Sequence, residues 1–267
     1  MRLHPRYVPP LLITLILLGA QWTTGLLHGY VSILIAIGVS LLTDLAVGRW
    51  LLGEKRALSS AYISGISIGI LVRSPVLWPF ALGAALSVLS KYVLRLRGRH
   101  LWNPSNFGIC VLLFLVPWAV APLSVQWGNN LLPMLVIWTI GLATVWRVGR
   151  AHITLAYLAS FLVFAVIRSL ITGHTLLAEV APLTGPMYQL FALFMVTDPK
   201  TTLSSKRGSV VVAVLVAAVE MALRLLEIVY APFYALFIVG PLALAWEQTR
   251  VPRTASTRPA DPEVTPV

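Results

Sequence analysis

Two short apolar segments, each cut off by a charged residue and a proline, lie about half a chain apart. The first is Gly65-Ile-Ser-Ile-Gly-Ile-Leu-Val-Arg73-Ser74-Pro75, and the second is Leu190-Phe-Ala-Leu-Phe-Met-Val-Thr197-Asp198-Pro199. Each is followed by a long apolar stretch and then by a second proline start, Asn103-Pro104-Ser105-Asn106-Phe107 or Ala231-Pro232-Phe233. Pro75 and Pro199 are 124 positions apart, and Pro104 and Pro232 are 128 apart. Proline lacks a backbone donor and clashes with the preceding turn, so it stops a helix. Backbone groups left bare at such a stop must, in lipid, find a ligand, water or side chain. Paired interruptions in matching halves point to a binding site at the middle of a membrane protein.

Composition says that lipid is the right solvent. Of 267 residues, 58% are hydrophobic and 11% charged, and the mean hydropathy is +0.86. A soluble domain this apolar could not cover its surface with polar groups. The net charge of +11 comes from basic residues scattered through short loops, not lined along one face with aromatics. That pattern excludes nucleic acid as a partner and fits the excess of Lys and Arg in cytoplasmic loops. A lone cysteine, Cys110, excludes an intramolecular disulfide and any cysteine-rich metal or iron–sulfur centre built from this chain. The start, with Arg2, Arg6 and an apolar run past Trp22, resembles a signal sequence without a cleavage site and is expected to be an uncleaved first span.

Apolar runs of roughly 17–25 residues give about ten segments: 8–27, 30–48, 58–72, 76–97, 105–121, 130–147, 152–171, 183–197, 208–229 and 232–247. With the N-terminus inside and ten crossings, 17 of the 20 Lys and Arg fall on the cytoplasmic side. Losing or adding a span would scramble that segregation. Trp22, Trp50, Trp78, Trp102, Trp118, Trp127 and Trp246 fall near segment ends, as an interfacial belt requires. Five spans per half insert with opposite orientation. The expected fold is therefore all-α and polytopic, a five-plus-five inverted repeat whose third and eighth segments are short or broken. One transmembrane domain covers 1–247, with halves 1–124 and 125–247. Residues 248–267 read as a disordered cytoplasmic tail, and the expected location is the inner (plasma) membrane with both termini cytoplasmic.

Thr197-Asp198-Pro199-Lys200-Thr201-Thr202 is the sharpest motif. Either Asp198 caps a span end, solvated or paired with Lys200, or it joins Thr197 and Thr201 in a pocket for a phosphate, ribityl or other polar group. Asn103 can cap the helix that Pro104 begins. Trp102, Asn103, Ser105, Asn106 and Phe107 could equally hold a planar, hydrogen-bonding ligand. Arg73 mirrors Asp198 and either snorkels to headgroups or meets an anion. Glu220, Arg224 and Glu227 share one helical face; an internal ion pair is the simpler reading and a proton or cation relay the rival one. Asp44 and Arg168 are further charges in spans. No metal-ligand spacing, hydrolase triad or phosphate-cradling glycine loop occurs.

The strings Lys91…Gly98-Arg99-His100-Leu-Trp-Asn103-Pro104-Ser-Asn-Phe-Gly108 and Phe194-Met195-Val196-Thr197-Asp198-Pro199-Lys-Thr-Thr resemble the two signatures of the RnfD/NqrB family. In that family a "G-K-H-I-F-N-P-A" type stretch precedes one span and an "F-F-M-A-T-D-P" type stretch ends another. The resemblance extends to about Glu247. It implies a flavin-carrying membrane subunit of an ion-coupled electron-transport complex, on a fold similar to that of urea transporters. Asn103, Pro104, Thr197, Asp198 and Pro199 match motif positions, so with Asn106, Phe107 and Thr201 they are the candidates for lining a flavin site. The Ser-Gly-Ala-Thr type motif that carries covalent FMN in the family does not occur; Gly141-Leu-Ala-Thr144 is only a partial likeness. FMN or riboflavin held without a covalent bond is the expected cofactor, and redox proteins or other complex subunits are the expected partners besides the lipid bilayer. The rival is a channel or transporter for a small polar solute on the same repeat, and a purely structural subunit is the third reading.

Overall fold

In a computed structural model of the protein, residues 14–15, 30–51, 53, 58–122, 131–198 and 200–250 are described. The expected first span falls outside them apart from Thr14 and Leu15, as do Pro199 and the tail beyond Arg250. Helices dominate. α1 (Tyr30–Leu45) runs on as a π turn, Ala46–Leu51, and is followed by α2 (Ser59–Leu71), α3 (Trp78–Val93), α4 (Pro104–Leu115), α5 (Leu131–Arg147) and α6 (Ala151–Thr172). A short α7 (Leu176–Val180) and a 3-10 turn (Ala181–Thr184) lead into α8 (Pro186–Leu190), which continues as a π turn, Phe191–Met195. The described chain ends with α9 (Lys206–Leu225) and α10 (Ala231–Arg250). Two two-residue ribbons complete it: β1 (Val72–Arg73) pairs antiparallel with β4 (Ala121–Pro122), and β2 (Arg95–Leu96) with β3 (Arg99–His100).

Tyr30–Trp50, Ala151–Thr172 and Lys206–Leu225 are 21, 22 and 20 residues long and strongly apolar. At about 1.5 Å per residue each reaches the roughly 30 Å of a bilayer core. Ser59–Leu71, Pro104–Leu115, Met134–Arg147 and Pro186–Met195 are apolar but shorter. The outer surface agrees with lipid contact. Leu155, Leu162, Val163, Val166 and Leu170 line one exposed side of α6, and Trp50, Trp118, Trp146 and Trp246 stand exposed near helix ends.

Local chemistry explains where the helices stop. The apolar run 105–121 yields a helix only to Leu115, because Val116 precedes Pro117 and is pushed to an extended φ of −138°. The run 76–97 ends at Val93, and the chain then folds back through the β2–β3 hairpin. Its two-residue turn places both Arg97 (φ 48°) and Gly98 (φ 81°) in the left-handed region, the geometry that matches strand twist. α9 begins at Lys206 because the Ser205 hydroxyl accepts from Gly208 N at 3.0 Å.

α3 packs on α1 and α4, while α9 packs on α6 and α10, and α10 closes against α4. Lipid gives helices no hydrophobic reason to associate, so close packing and polar contacts must hold them. At the α3–α4 crossing, a Cβ on Gly108 would sit 2.1 Å from Ser87 Oγ and 2.7 Å from the Gly83 carbonyl oxygen. Only glycine fits there. At the centre, Phe191 of the broken segment is fully buried between Tyr157 of α6 and Phe233 of α10, its ring centroid 5.5 and 5.9 Å from theirs.

Candidate functional site

The hairpin that ends in His100 delivers Arg99 to the loop after the broken segment. Arg99 Nε donates to the Lys200 carbonyl at 3.4 Å, and Nη1 reaches Ser204 Oγ at 3.3 Å and Glu247 Oε2 at 2.9 Å. Nη2 also donates to the Thr202 carbonyl. Glu247 in turn accepts from Ser204 N at 2.7 Å. One guanidinium thus ties the string that precedes α4 to the loop 200–204 and to α10, using the fixed fork of donors that lysine lacks.

Asn103 stands at the centre of the site. Its Oδ1 accepts from Asn106 N at 3.1 Å, capping α4, while its Nδ2 donates to Asp198 Oδ2 at 3.1 Å. Pro104 occupies the first turn of that helix and is buried. The Asp198 carboxylate also accepts from Lys200 N at 3.0 Å, and its carbonyl accepts from the backbone of Thr201 and Thr202 at 3.3 and 3.0 Å. Burial pushes the Asp198 carboxyl above its ordinary value, opposed by the Lys200 backbone bond and the charges of Lys200 and Lys91. Lys91 is itself buried and donates to the Ser60 carbonyl at 2.8 Å.

The other candidates divide into two groups. Thr197 and Thr201 donate their hydroxyls to the carbonyls of Leu193 (2.6 Å) and Asp198 (3.5 Å), so they shape the loop. Asn106 and Phe107 face α10: Asn106 Nδ2 donates to the Phe233 carbonyl at 3.1 Å, and the Phe107 ring lies among those of Trp102 and Phe237 at 5.6 and 6.0 Å. Pro199 lies outside the described residues. Asn103 and Asp198 are the pair that comes together.

Beside them lies a cavity of about 70 Å³, lined by Ser67 and Leu71 of α2, Asn103 and Ser105 at the start of α4, and Leu190 and Phe194 of the broken segment. Such a volume is about two water molecules' worth of liquid. Ser105 faces it together with Asn103, opposite Ser67 and Leu71 of α2. The wall contributed by Phe191–Met195 is a π turn, a local widening of the helix found frequently at functional sites. Ser105 was among the sequence candidates, whereas Ser67, Leu190 and Phe194 were not. For Ser67, its place two residues after Gly65 was the available signal, too weak to read alone.

A second polar cluster holds the opposite end of the broken segment. Glu220 of α9 is completely buried and accepts from Tyr157 at 2.6 Å and from Tyr188 of α8 at 2.7 Å. Arg224 lies 3.4 Å from Glu220 and donates to the Tyr188 hydroxyl at 2.9 Å. Buried Arg168 donates to Glu179 of α7 at 2.7 Å, and Arg224 is 3.8 Å from the same carboxylate. The shared face of Glu220 and Arg224 is thereby an internal ion pair. Glu227 lies beyond it, at a left-handed φ of 60° where α9 ends. Asp44 accepts from Tyr92 at 2.8 Å. Among the described residues no group of three or more His, Cys, Asp or Glu could hold a metal ion.

No protein-family model matches the chain, and no curated protein matches its sequence.

Proposed function

We propose that this chain is a multi-pass membrane protein of the electron-transport class that the RnfD/NqrB family represents, acting with redox partners at a site built on Asn103 and Asp198. The observation that carries this reading is the 3.1 Å hydrogen bond from Asn103 Nδ2 to Asp198 Oδ2. It joins the two motif strings, 95 positions apart in sequence, at a cavity bounded by broken helices. A merely capped helix end would need neither the partner string nor the cavity.

Ten spans in a five-plus-five inverted repeat are part of the same reading. α3 packs on α1 and α4 much as α9 packs on α6 and α10, and these are the fourth and ninth segments of the proposed halves. The short α2 and the broken α8 segment then occupy equivalent third and eighth places, where inverted repeats put their binding sites. Lys91, Arg99 and Lys200, near Asn103 and Asp198, support a position for this site toward the cytoplasmic face by the charge rule.

A flavin does not fit the cavity at its present size. Pockets for ligands of that kind run from about 300 Å³ upward, several times the volume found here. What the chain's own residues supply is an apolar shell from Leu71, Leu190 and Phe194, and a polar end from Asn103, Ser105 and Ser67. A flavin-like group would need the broken segment to draw back from α2.

The same volume favours a second reading, passage of a small polar solute of a few heavy atoms through the repeat. The two are separated by purifying the protein in mild detergent from a flavin-replete host and measuring flavin released on denaturation. Released flavin that disappears in Asp198→Ala and Asn103→Ala supports the first reading. A flavin-free preparation that carries solute flux in proteoliposomes overturns it in favour of the second.

A further inference from the structure

Between Ile171 and Thr184 every side chain is exposed or half-buried except one, the carboxylate-bearing Glu179. Leu176 and Leu177 project outward and anchor nothing inside. Leu183 packs half-buried against the core, and Glu179 is the one side chain of the strap that is buried. That acid is held from three directions. Arg168 of α6 donates from Nε to Glu179 Oε2 at 2.7 Å and from Nη2 to its carbonyl at 3.2 Å. Arg224 of α9 approaches Oε2 at 3.8 Å, and the ring of exposed His174 lies 3.2 Å from Oε1.

The cluster's charges balance. Glu179 and Glu220 match Arg168 and Arg224, with the tyrosines 157 and 188 neutral donors to Glu220 and His174 at the rim. These are the titratable and charged groups that α6, α7, α8 and α9 turn toward Glu179; at the other end of α6, His152 meets Ser209 of α9 at 3.1 Å. A guanidinium does not release its proton, so the chain of contacts from His174 to Glu220 cannot relay one. It can hold, and it can let go. Breaking one member of a buried set leaves an uncompensated charge, so such a fastening fails abruptly.

The strap is continuous with the broken segment. Gln189 of α8 donates back to the Leu183 carbonyl at 3.4 Å, and the next residues, Leu190 and Phe194, form one wall of the cavity. We propose that Glu179 is a latch: it fastens strap 173–184 against α6 and α9, and its release lets the strap and α8 move together away from α2 and widen the cavity. The proposal concerns the motion alone and stands whether the ligand is a flavin or a smaller solute.

Site-resolved thiol labelling of the full-length protein in detergent tests it. Met187, buried on α8, is replaced in Met187→Cys, and its maleimide labelling is followed with and without Glu179→Gln. Native Cys110, fully buried in α4, reports any general loosening. The latch predicts several-fold faster labelling at position 187 in the Glu179→Gln background with Cys110 still protected. Equal rates, or Cys110 labelling that rises in step, overturn it. Hydrogen exchange of the unsubstituted chain, corrected for the intrinsic effect of pH, provides the arm that needs no variant. On acidification, protection should fall across 176–190 before it falls in α3 or α9; uniform or unchanged protection contradicts the latch.

Discussion

The broken segment is held at both ends by polar side chains, and the two ends are built differently. At the end bearing Asp198, a neutral amide from Asn103 meets a carboxylate beside a cavity of about 70 Å³, and the surrounding threonines are spent on loop carbonyls. At the end bearing Tyr188, two guanidiniums and two carboxylates are packed together, with tyrosine hydroxyls filling the remaining acceptor positions. A charge-balanced, fully bonded cluster is a fastening. A single side-chain hydrogen bond between two segments, at the rim of an open volume, is a place where something can be exchanged. The difference teaches that the density of polar groups is a poor guide to the ligand site here, since the richer cluster is the one that holds the structure.

That contrast can be broken most sharply at Arg168. Arg168→Ala leaves Glu179 without its closest partner in a buried setting, which should cost about 3–5 kcal/mol, read as a large fall in unfolding temperature in detergent. Because the freed strap moves with the cavity wall, ligand exchange in the protein that remains folded should also quicken. A small effect on stability would mean that the cluster is not the fastening.

Acid should weaken the same end. Burial alone would raise the Glu179 carboxyl, but hydrogen bonds from Arg168 and His174 and the charges of Arg168 and Arg224 outweigh it and hold it below its ordinary value. A carboxyl lowered in the folded state contributes stability above its unfolded value and loses it as pH falls toward the lowered one. Stability assigned to the strap should therefore decline only on the acid side of the ordinary carboxylate range, as unfolding midpoints against pH would show. A decline that begins on the alkaline side instead assigns the pH dependence to another group.

Asn103→Ala removes a cap and the bond to Asp198 together. The expected loss is about 1–2 kcal/mol, smaller than at Arg168, yet ligand retention should vanish. Asn103→Asp keeps the cap and sets a second carboxylate against Asp198, so retention should fail with helix α4 intact by circular dichroism. If Asn103→Ala is as destabilising as Arg168→Ala, the two ends are the same kind of structure. Smallest of all is Thr201→Val, whose hydroxyl makes only a 3.5 Å contact; a stability change within about 0.5 kcal/mol is expected, with ligand binding preserved.

Much of the scaffold is legible in the sequence alone, and for identifiable reasons. Asn103-Pro104 announces a capped helix start because cap and first-turn chemistry are local, and the cap is there. The interruption near 190–199 follows from Pro199 and Asp198 alone, although its division into 3-10, α and π turns does not. Helix ends were overrun where a hidden stop intervened: Pro117 shortened α4, and the Arg97-Gly98 turn cut short the run after α3. The partner of Arg168 could not be read. Glu179 looks like an ordinary loop acid until α6 and α9 close on it. Nor could Tyr157 and Tyr188 be assigned to Glu220, since their contact depends on how three separate elements pack. Local chemistry writes itself into neighbouring residues, whereas long-range polar pairing depends on tertiary geometry.

The most direct test of the central claim is a visible and fluorescence spectrum of material released by denaturing the purified protein, compared with the Asp198→Ala variant at equal folded concentration. A flavin-like chromophore present in the first and absent in the second is the expected result. No chromophore in either, from a host replete with flavin, would contradict an electron-carrying role for the site.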